Sequence, residues 1–258
     1  MSAEIVRLER RKECAVLTLH RPEALNALSF AILEAIAAKL DEVAGSDARA
    51  LIVTGAGGRA FCAGADIKEL RGRDLMAQRR GGELGQRVFA KLDTLPMPSV
   101  AVIDGMAFGG GLELALACTF RLGTAAARMG LPEVKLGLIP GYGGTQRLPR
   151  VIGEARALEM ILTGRSVAVE EAERIGLISA IVEGDPVAAG LEWARRFTGY
   201  SLPVLALGRQ AVQRAGTVPL HEGLRIEADL STLAFQLHDA EEGMAAFTEK
   251  RKPAFRDA

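Results

Sequence analysis

The chain has 258 residues, 49% hydrophobic and 25% charged, with 32 basic and 32 acidic side chains and a formal net charge of +0. This is long enough for one large domain or two small ones with a real core, and the balanced charge argues against the basic face that nucleic-acid binding requires. Cys14, Cys62 and Cys118 are odd in number, widely spaced and without a CxxC pair, which argues against a metal or redox motif and leads to an expectation of buried thiols in a reducing compartment.

The stretch Met1–Arg10 mixes both charges and lacks an apolar core, so neither a secretory signal nor a transit peptide is expected. No apolar run reaches membrane-spanning length, which gives a soluble, cytoplasmic expectation. Residues 4–9 and 14–19 read as a hairpin. Arg21–Leu28 reads as a loop, and Ser29 as the N-cap of a helix carrying Phe30, Ile32, Leu33, Ile36, Leu40 and Val43 at helical spacing. Residues 50–54 form a buried strand. The following Gly55-Ala-Gly-Gly-Arg-Ala60 fits a dinucleotide fingerprint, but that fingerprint requires a helix to open at once. Here Phe61–Asp66 continues as a loop, with the helix starting near Ala65, so the cofactor reading is disfavoured. Residues 67–93 read as a charged helix interrupted at Gly72 and at Gly81-Gly82, which suits either a mobile segment over a pocket or an ordinary exposed helix.

Ser99–Asp104 is an apolar run rich in β-branched residues, and Leu112–Cys118 is a strong helix former; Gly109, Gly110 and Gly111 lie between them. The first amides of a helix have no partner inside it and carry the positive end of its dipole, and glycine lets a negative group approach them closely. Glu113 falls in the first turn, where a glutamate is commonly only a capping residue. The other reading, less common for such a residue, is a carboxylate beside a donor pair for a developing oxyanion. Residues 119–123 and 126–130 read as strands, and Leu138–Gly144 as a rigid turn opening a helix at Thr145. Helices are expected over 154–163, 168–175, 186–198, 203–214, 217–238 and 240–250, with only 178–182 extended. No internal repeat or linker is visible.

Several chemistries lack their parts: there is no G-x-S-x-G elbow, no P-loop, and His20, His221 and His238 are isolated. No metal is expected, and carboxylates with backbone amides leave acid–base chemistry open.

Arg21–Leu28, Phe61–Lys68, Gly105–Ala115, Leu131-Pro-Glu133, Ile139–Leu148 and Phe247–Lys252 together, in this order, resemble the crotonase (enoyl-CoA hydratase/isomerase) superfamily across nearly the whole chain. The resemblance implies an α/β fold, a spiral of repeated ββα units over residues 1–195, and a C-terminal helical region, 196–258, used in assembly and in completing the coenzyme A pocket. It implies trimers or dimers of trimers, an acyl-CoA thioester substrate, and no cofactor beyond the coenzyme A of the substrate. In its terms the amides of Ala65 and Gly110 form the oxyanion hole. Ala24, Leu25, Ala63, Asp66, Ile67 and Lys68 line the coenzyme A path, and Phe247 and Lys250 touch coenzyme A from the tail. Hydratases of the superfamily have glutamate at the positions of both Glu113 and Glu133, whereas isomerases typically lack the first. An enoyl-CoA hydratase is therefore expected, with Glu113 deprotonating water and Glu133 delivering a proton to the α-carbon. Rival readings are a methylglutaconyl-CoA hydratase and a Δ3,Δ2-enoyl-CoA isomerase. RNA binding of the kind some hydratase relatives show is disfavoured, because the helix at 29–44 carries one lysine, Lys39, against Glu34, Asp41 and Glu42. Leu112 and Tyr142 depart from the usual pattern at positions that could shape the acyl pocket.

Overall fold

The computed structural model describes residues 4–258; Met1–Ala3, the start of the stretch read above as no signal, lie outside the described residues. The expected hairpin is β1 (Val6–Arg11) and β2 (Cys14–Leu19), paired antiparallel. β2 then pairs in parallel with β3 (Ala50–Gly55), followed by β5 (Ser99–Ile103), β7 (Phe120–Gly123) and β10 (Ala180–Ile181), giving a six-stranded sheet in the order β1-β2-β3-β5-β7-β10. Both faces of its central strands are apolar, so alternate residues feed two cores. Leu17, Leu51, Val53, Ala101 and Ile103 enter the larger one. Cys14, Val16, Ile52, Val100 and Val102 face the smaller one, which α8 (Pro186–Ala194) covers.

A second, four-stranded sheet is made of three-residue strands: β4 (Ala60–Cys62), β6 (Met106–Phe108) and β8 (Arg128–Gly130) in parallel, closed by antiparallel β9 (Ser166–Ala168). The chain therefore repeats one move: a strand in the large sheet, a strand in the small sheet, then a helix. β3 and β4 lead to α2 (Ile67–Leu70) and α3 (Leu75–Asp93), β5 and β6 to α4 (Gly110–Ala117), and β7 and β8 to α5 (Gly144–Ile152). This is the spiral ββα architecture, present in the topology although no repeat is visible in the residues.

Three sequence expectations change. Phe61–Asp66 is not all loop, because Ala60 and Cys62 pair with Met106 and Ala107. The helix after it starts at Ile67, capped by Asp66, whose side chain accepts from the Lys68 amide. The Gly81-Gly82 pair does not interrupt the helix: α3 runs through it and is packed from Gly81 onward, with Gly81, Gly85, Val88, Phe89 and Leu92 buried. A side-chain carbon at Gly81 would come within 2.8 Å of Phe30, so glycine here serves close packing on α1 (Phe30–Ala44). Ser29 caps α1 as expected, its Oγ accepting from the Ile32 amide at 3.2 Å.

Beyond α6 (Glu154–Thr163), α7 (Val169–Arg174) and α8, the chain ends in α9 (Leu202–Ala215), which reaches one residue past its expected span at each end, α10 (Leu220–Phe235), which is shorter than expected, and α11 (His238–Thr248), which begins and ends two residues earlier than expected. The last residues fold back. Asp239 is buried and accepts from the Arg256 and Asp257 amides at 2.7 and 2.8 Å, while the Asp257 carboxylate pairs with Arg49 at 2.5 Å. All three cysteines are free and buried, with burial holding the Cys62 and Cys118 thiols up at about 12. No described helix is long and apolar enough to cross a membrane.

Candidate active site

The site forms where the small sheet hands the chain to its helices. Leu28 forms a parallel bridge to Ala65: its amide donates to Gly64 O and its carbonyl accepts from the Asp66 amide, both at 2.8 Å. In a parallel bridge the central residue's own N–H points away from the partner, and among the described residues the Ala65 amide donates to no protein acceptor. Gly110 opens α4, and its amide is likewise free among the described residues, as expected for the first residue of a helix. The two loops touch. Gly64 has φ +111, and a side-chain carbon on it would stand 3.1 Å from Phe108 O and 3.8 Å from the Gly110 nitrogen. At Gly111 such a carbon would be 2.1 Å from Cys62 O, so the start of α4 can lie on β4 only as glycine.

Glu113 projects from the first turn of a helix in which every residue is buried, and is itself 1% exposed. Its Oε1 accepts from the Tyr142 and Gly144 amides at 2.8 and 2.7 Å, at the start of α5. Burial raises the carboxyl to about 7, and the charge of Glu133 adds to the rise, against the lowering effect of the Gly144, Tyr142 and Gly143 amides. Glu133 begins the 3-10 turn Glu133–Leu136 just after β8, a strand tied to the glycine loop by the Gly109 amide on Gly130 O at 3.0 Å. Its Oε1 lies where a side chain on Gly109 would be, at 2.9 Å, and its buried Oε2 has no hydrogen-bond partner. Burial raises its pKa as well. Glu133 thus rests against Gly109, next to the free amide of Gly110, and its charge reaches Glu113.

The family model for enoyl-CoA hydratase/isomerase matches residues 9–258. The chain belongs to the enoyl-CoA hydratase/isomerase family. It is 38% identical over 260 residues to a crotonyl-CoA hydratase of Syntrophomonas wolfei, covering 99% of both chains. It is 37% identical to a short-chain-enoyl-CoA hydratase of Clostridium acetobutylicum, covering 98% of this chain and 97% of that one. The crystal structure of an enoyl-CoA hydratase from Bacillus anthracis superposes with a TM-score of 0.94 at 36% identity, covering 99% of this chain and 100% of that one.

The remaining expected residues divide into two groups. Ala24 and Leu25 end the 3-10 turn Pro22–Ala24, and the Ala63 amide donates to Leu25 O at 3.0 Å, so these three lie together. Asp66 pairs with Arg21 at 2.9 Å, which holds its carboxyl below the usual range, while Ile67 and Lys68 beside it are exposed. Phe247, 85% exposed, and Lys250 stand apart: they lie at the end of α11, which packs on α10, and neither hydrogen-bonds to the 63–68 loop. Sequence reading missed Asn26, which is buried with φ 55. Its Oδ1 accepts from the Arg21 amide at 2.9 Å and its Nδ2 donates to Ala56 O and Ala60 O at 3.0 and 2.8 Å, fixing the 21–26 loop to β4. Its signal was a polar residue tolerant of positive φ inside an otherwise apolar segment. No group of three metal-capable side chains occurs among the described residues.

Proposed function

We propose that this protein is an enoyl-CoA hydratase adding water in syn fashion across a trans-2-enoyl-CoA to give a 3-hydroxyacyl-CoA, in fatty acid or branched-chain acyl degradation. The observation that carries this reading is the convergence of Glu113 and Glu133 beside the free amides of Ala65 and Gly110. The thioester oxygen lies between those two amides. As water attacks C3, negative charge moves onto that oxygen, and each fixed donor lowers the barrier by about 3 kcal/mol.

Water sits between the two carboxyl groups. Glu113, buried, fixed by two amides and raised to about 7, is poised as the base at neutral pH. It takes a proton from the water whose oxygen bonds to C3; the C2–C3 π electrons pass into the enolate. Glu133, also raised by burial, gives its proton to C2 as the enolate collapses. Transfer of the proton from Glu113 back to Glu133 resets the pair. Two acids sharing a site favour this split of one charged and one neutral.

Ala24, Leu25, Ala63, Asp66, Ile67 and Lys68 line the coenzyme A path in this reading, which the contiguity of the 24–25 and 63–68 loops supports. Phe247 and Lys250 reach coenzyme A from a neighbouring copy. Residues 1–195 form the catalytic core and 196–258 an assembly region, in a trimer or dimer of trimers. Supporting this, α9 and α10 bury no residue in the single chain, and Val212, Leu220 and Phe235 are 75%, 79% and 66% exposed. The reading needs no metal or separate cofactor and no nucleic-acid or membrane partner, and places the enzyme in the cytoplasm.

The test is loss of the conjugated-enone ultraviolet absorbance of crotonyl-CoA. Rapid loss that collapses in both Glu113→Ala and Glu133→Ala is expected. Absence of loss with crotonyl-CoA and with longer or branched enoyl thioesters would overturn the reading in favour of isomerisation.

A further inference from the structure

Glu113 is held from outside its own helix, by amides on either side of Gly143 at the start of α5. What steadies that turn is Arg147, one turn further along. Its amide donates to Gly143 O at 2.8 Å, and its side chain folds back across Gly143. A side-chain carbon on Gly143, where φ is +120, would stand 3.4 Å from Arg147 Nε and 3.6 Å from Cδ. The guanidinium then meets Asp93, the last residue of α3, in two parallel bonds: Nη1 to Oδ1 at 2.8 Å and Nη2 to Oδ2 at 2.5 Å. The two side chains are 23% and 34% exposed, so water competes only in part. At this end α3 is anchored by buried Phe89 and Leu92, and it packs on α4, which carries Glu113. Asp93 also faces Arg209 of α9, whose guanidinium donates to Met97 O at 2.8 Å and to Leu95 O.

A single exposed ion pair contributes little, but a two-bonded fork fixes angle as well as distance. Here it ties the turn that holds Glu113 to a helix packed on Glu113's own helix. We propose that Arg147, tied to Asp93, is a positioning residue: it keeps the first turn of α5 in place so that the Tyr142 and Gly144 amides stay on Glu113 Oε1. Glu113 is the base by the hydratase reading, on which this proposal rests. Those amides lower the Glu113 carboxyl against burial and against the charge of Glu133, which faces it from the turn after β8. The Tyr142 hydroxyl is the other titratable group that Glu113 acts on, and burial together with that charge holds it protonated up to about 12. A slackened turn withdraws the amides. Glu113 then keeps its proton to higher pH, and the oxygen that takes the proton from water loses its fixed place.

The test measures kcat and KM for crotonyl-CoA between about pH 5 and pH 9 in the wild type, Asp93→Asn, Arg147→Met and Arg147→Lys. Asp93→Asn and Arg147→Met should lower kcat near neutral pH by about tenfold and leave KM within about twofold, since neither change touches the 63–68 loop. The acid limb of kcat should move to higher pH by about half a unit or more. Arg147→Lys keeps the charge without the fork and should fall between these variants and the wild type; it decides the matter if the other two do not fold. Adding Asp93→Asn to Glu113→Gln should cost less than about twofold further, because the pair acts through Glu113. A second readout needs no turnover: carbon NMR of glutamate-labelled protein, with the Glu113 carboxyl assigned by its absence in Glu113→Gln, follows its titration directly. Variants that lose thermal stability while the Glu113 titration and the pH profile stay in place would overturn the proposal and leave the hydratase standing. If no enoyl-CoA is hydrated yet the Glu113 titration moves up in Asp93→Asn, the hydratase reading falls and the positioning of Glu113 stands.

Discussion

Glu113 and Glu133 are two carboxyl groups close enough for the charge of one to raise the other, and their surroundings are built on opposite plans. Glu113 is locked: it rises from a fully buried helix and one oxygen accepts two amides from the start of α5. Glu133 is held at one end only: it sits on a short turn, less deeply buried, and its buried Oε2 has no partner. An oxygen that must hold water at a fixed attack distance gains from the first arrangement. A group that must present a proton to a carbon as that carbon changes geometry needs an uncommitted oxygen, which the second leaves.

Replacing each glutamate by glutamine tests this division most sharply. Either change should cost on the order of 10³ in kcat, within the usual range for removal of a positioned acid or base. The two should differ in what survives. Glu113→Gln should lose the rise of kcat with pH toward about 7 that ionisation of this carboxyl imposes, yet retain exchange of the α-proton of a bound acyl-CoA with deuterated water. Glu133→Gln should lose the exchange. Near-normal turnover and exchange in Glu133→Gln would end the assignment.

The same comparison has a stability side. Burial raises Glu113 from 4.5 to about 7, so the folded chain holds this proton more tightly than the unfolded chain. The resulting stability is fully present below about 4.5, is lost as pH rises from there to about 7, and is flat above, a total of about 3 kcal/mol. Glu113→Gln cannot ionise and keeps an oxygen for the Tyr142 and Gly144 amides. Its stability relative to wild type should therefore improve by about 3 kcal/mol between pH 4 and pH 8, read from urea unfolding at one protein concentration. Parallel pH curves for the two proteins would show that Glu113 is not buried as described.

Long or well-punctuated elements were legible in the sequence because their physics is local. Ser29 and the helical spacing from Phe30 to Val43 carry α1, and the β-branched runs carry β3 and β5. Glu133 and the amides of Ala65 and Gly110 were named only through the resemblance carried by several motifs in order, since nothing in the residues around Glu133 singles it out. What was not legible depends on distant partners. β4, β6 and β9 have three residues each, too few for a period to show, and are strands only because β4 and β6 pair with each other and β6 and β9 pair with β8. The structural repeat arises from topology and leaves no echo in residue identity. Gly81-Gly82 looked like a break because local propensity counts against glycine in a helix, while packing on Phe30 decides in its favour. The amides that hold Glu113 lie 29 and 31 residues away, so nothing near Glu113 in the chain announces them.

The smallest expected effects come from the glycines against which the two carboxylates rest. A side-chain carbon on Gly144 would stand 3.0 Å from Glu113 Oε1, from Leu131 Cδ1 and from Pro140 Cβ. All three must give a few tenths of an ångström, and overpacking of this kind costs about 1–3 kcal/mol. A side-chain carbon on Gly109 would stand 2.9 Å from Glu133 Oε1, the end of a side chain able to turn away, with no other atom nearer than 3.5 Å, but the backbone there has φ 50 and ψ −125. That conformation itself costs about 1–3 kcal/mol for alanine. The two substitutions should thus destabilise by similar amounts for different reasons, and a double-mutant cycle separates them. Truncating the locked carboxylate relieves part of the crowding, so Gly144→Ala and Glu113→Ala should couple by more than about 0.5 kcal/mol. Truncating the uncommitted one cannot relieve backbone strain, so Gly109→Ala and Glu133→Ala should add to within about 0.5 kcal/mol. Equal coupling in the two cycles would mean that Glu133 is as firmly seated as Glu113, and the distinction between a fixed base and an uncommitted acid would lose its structural ground.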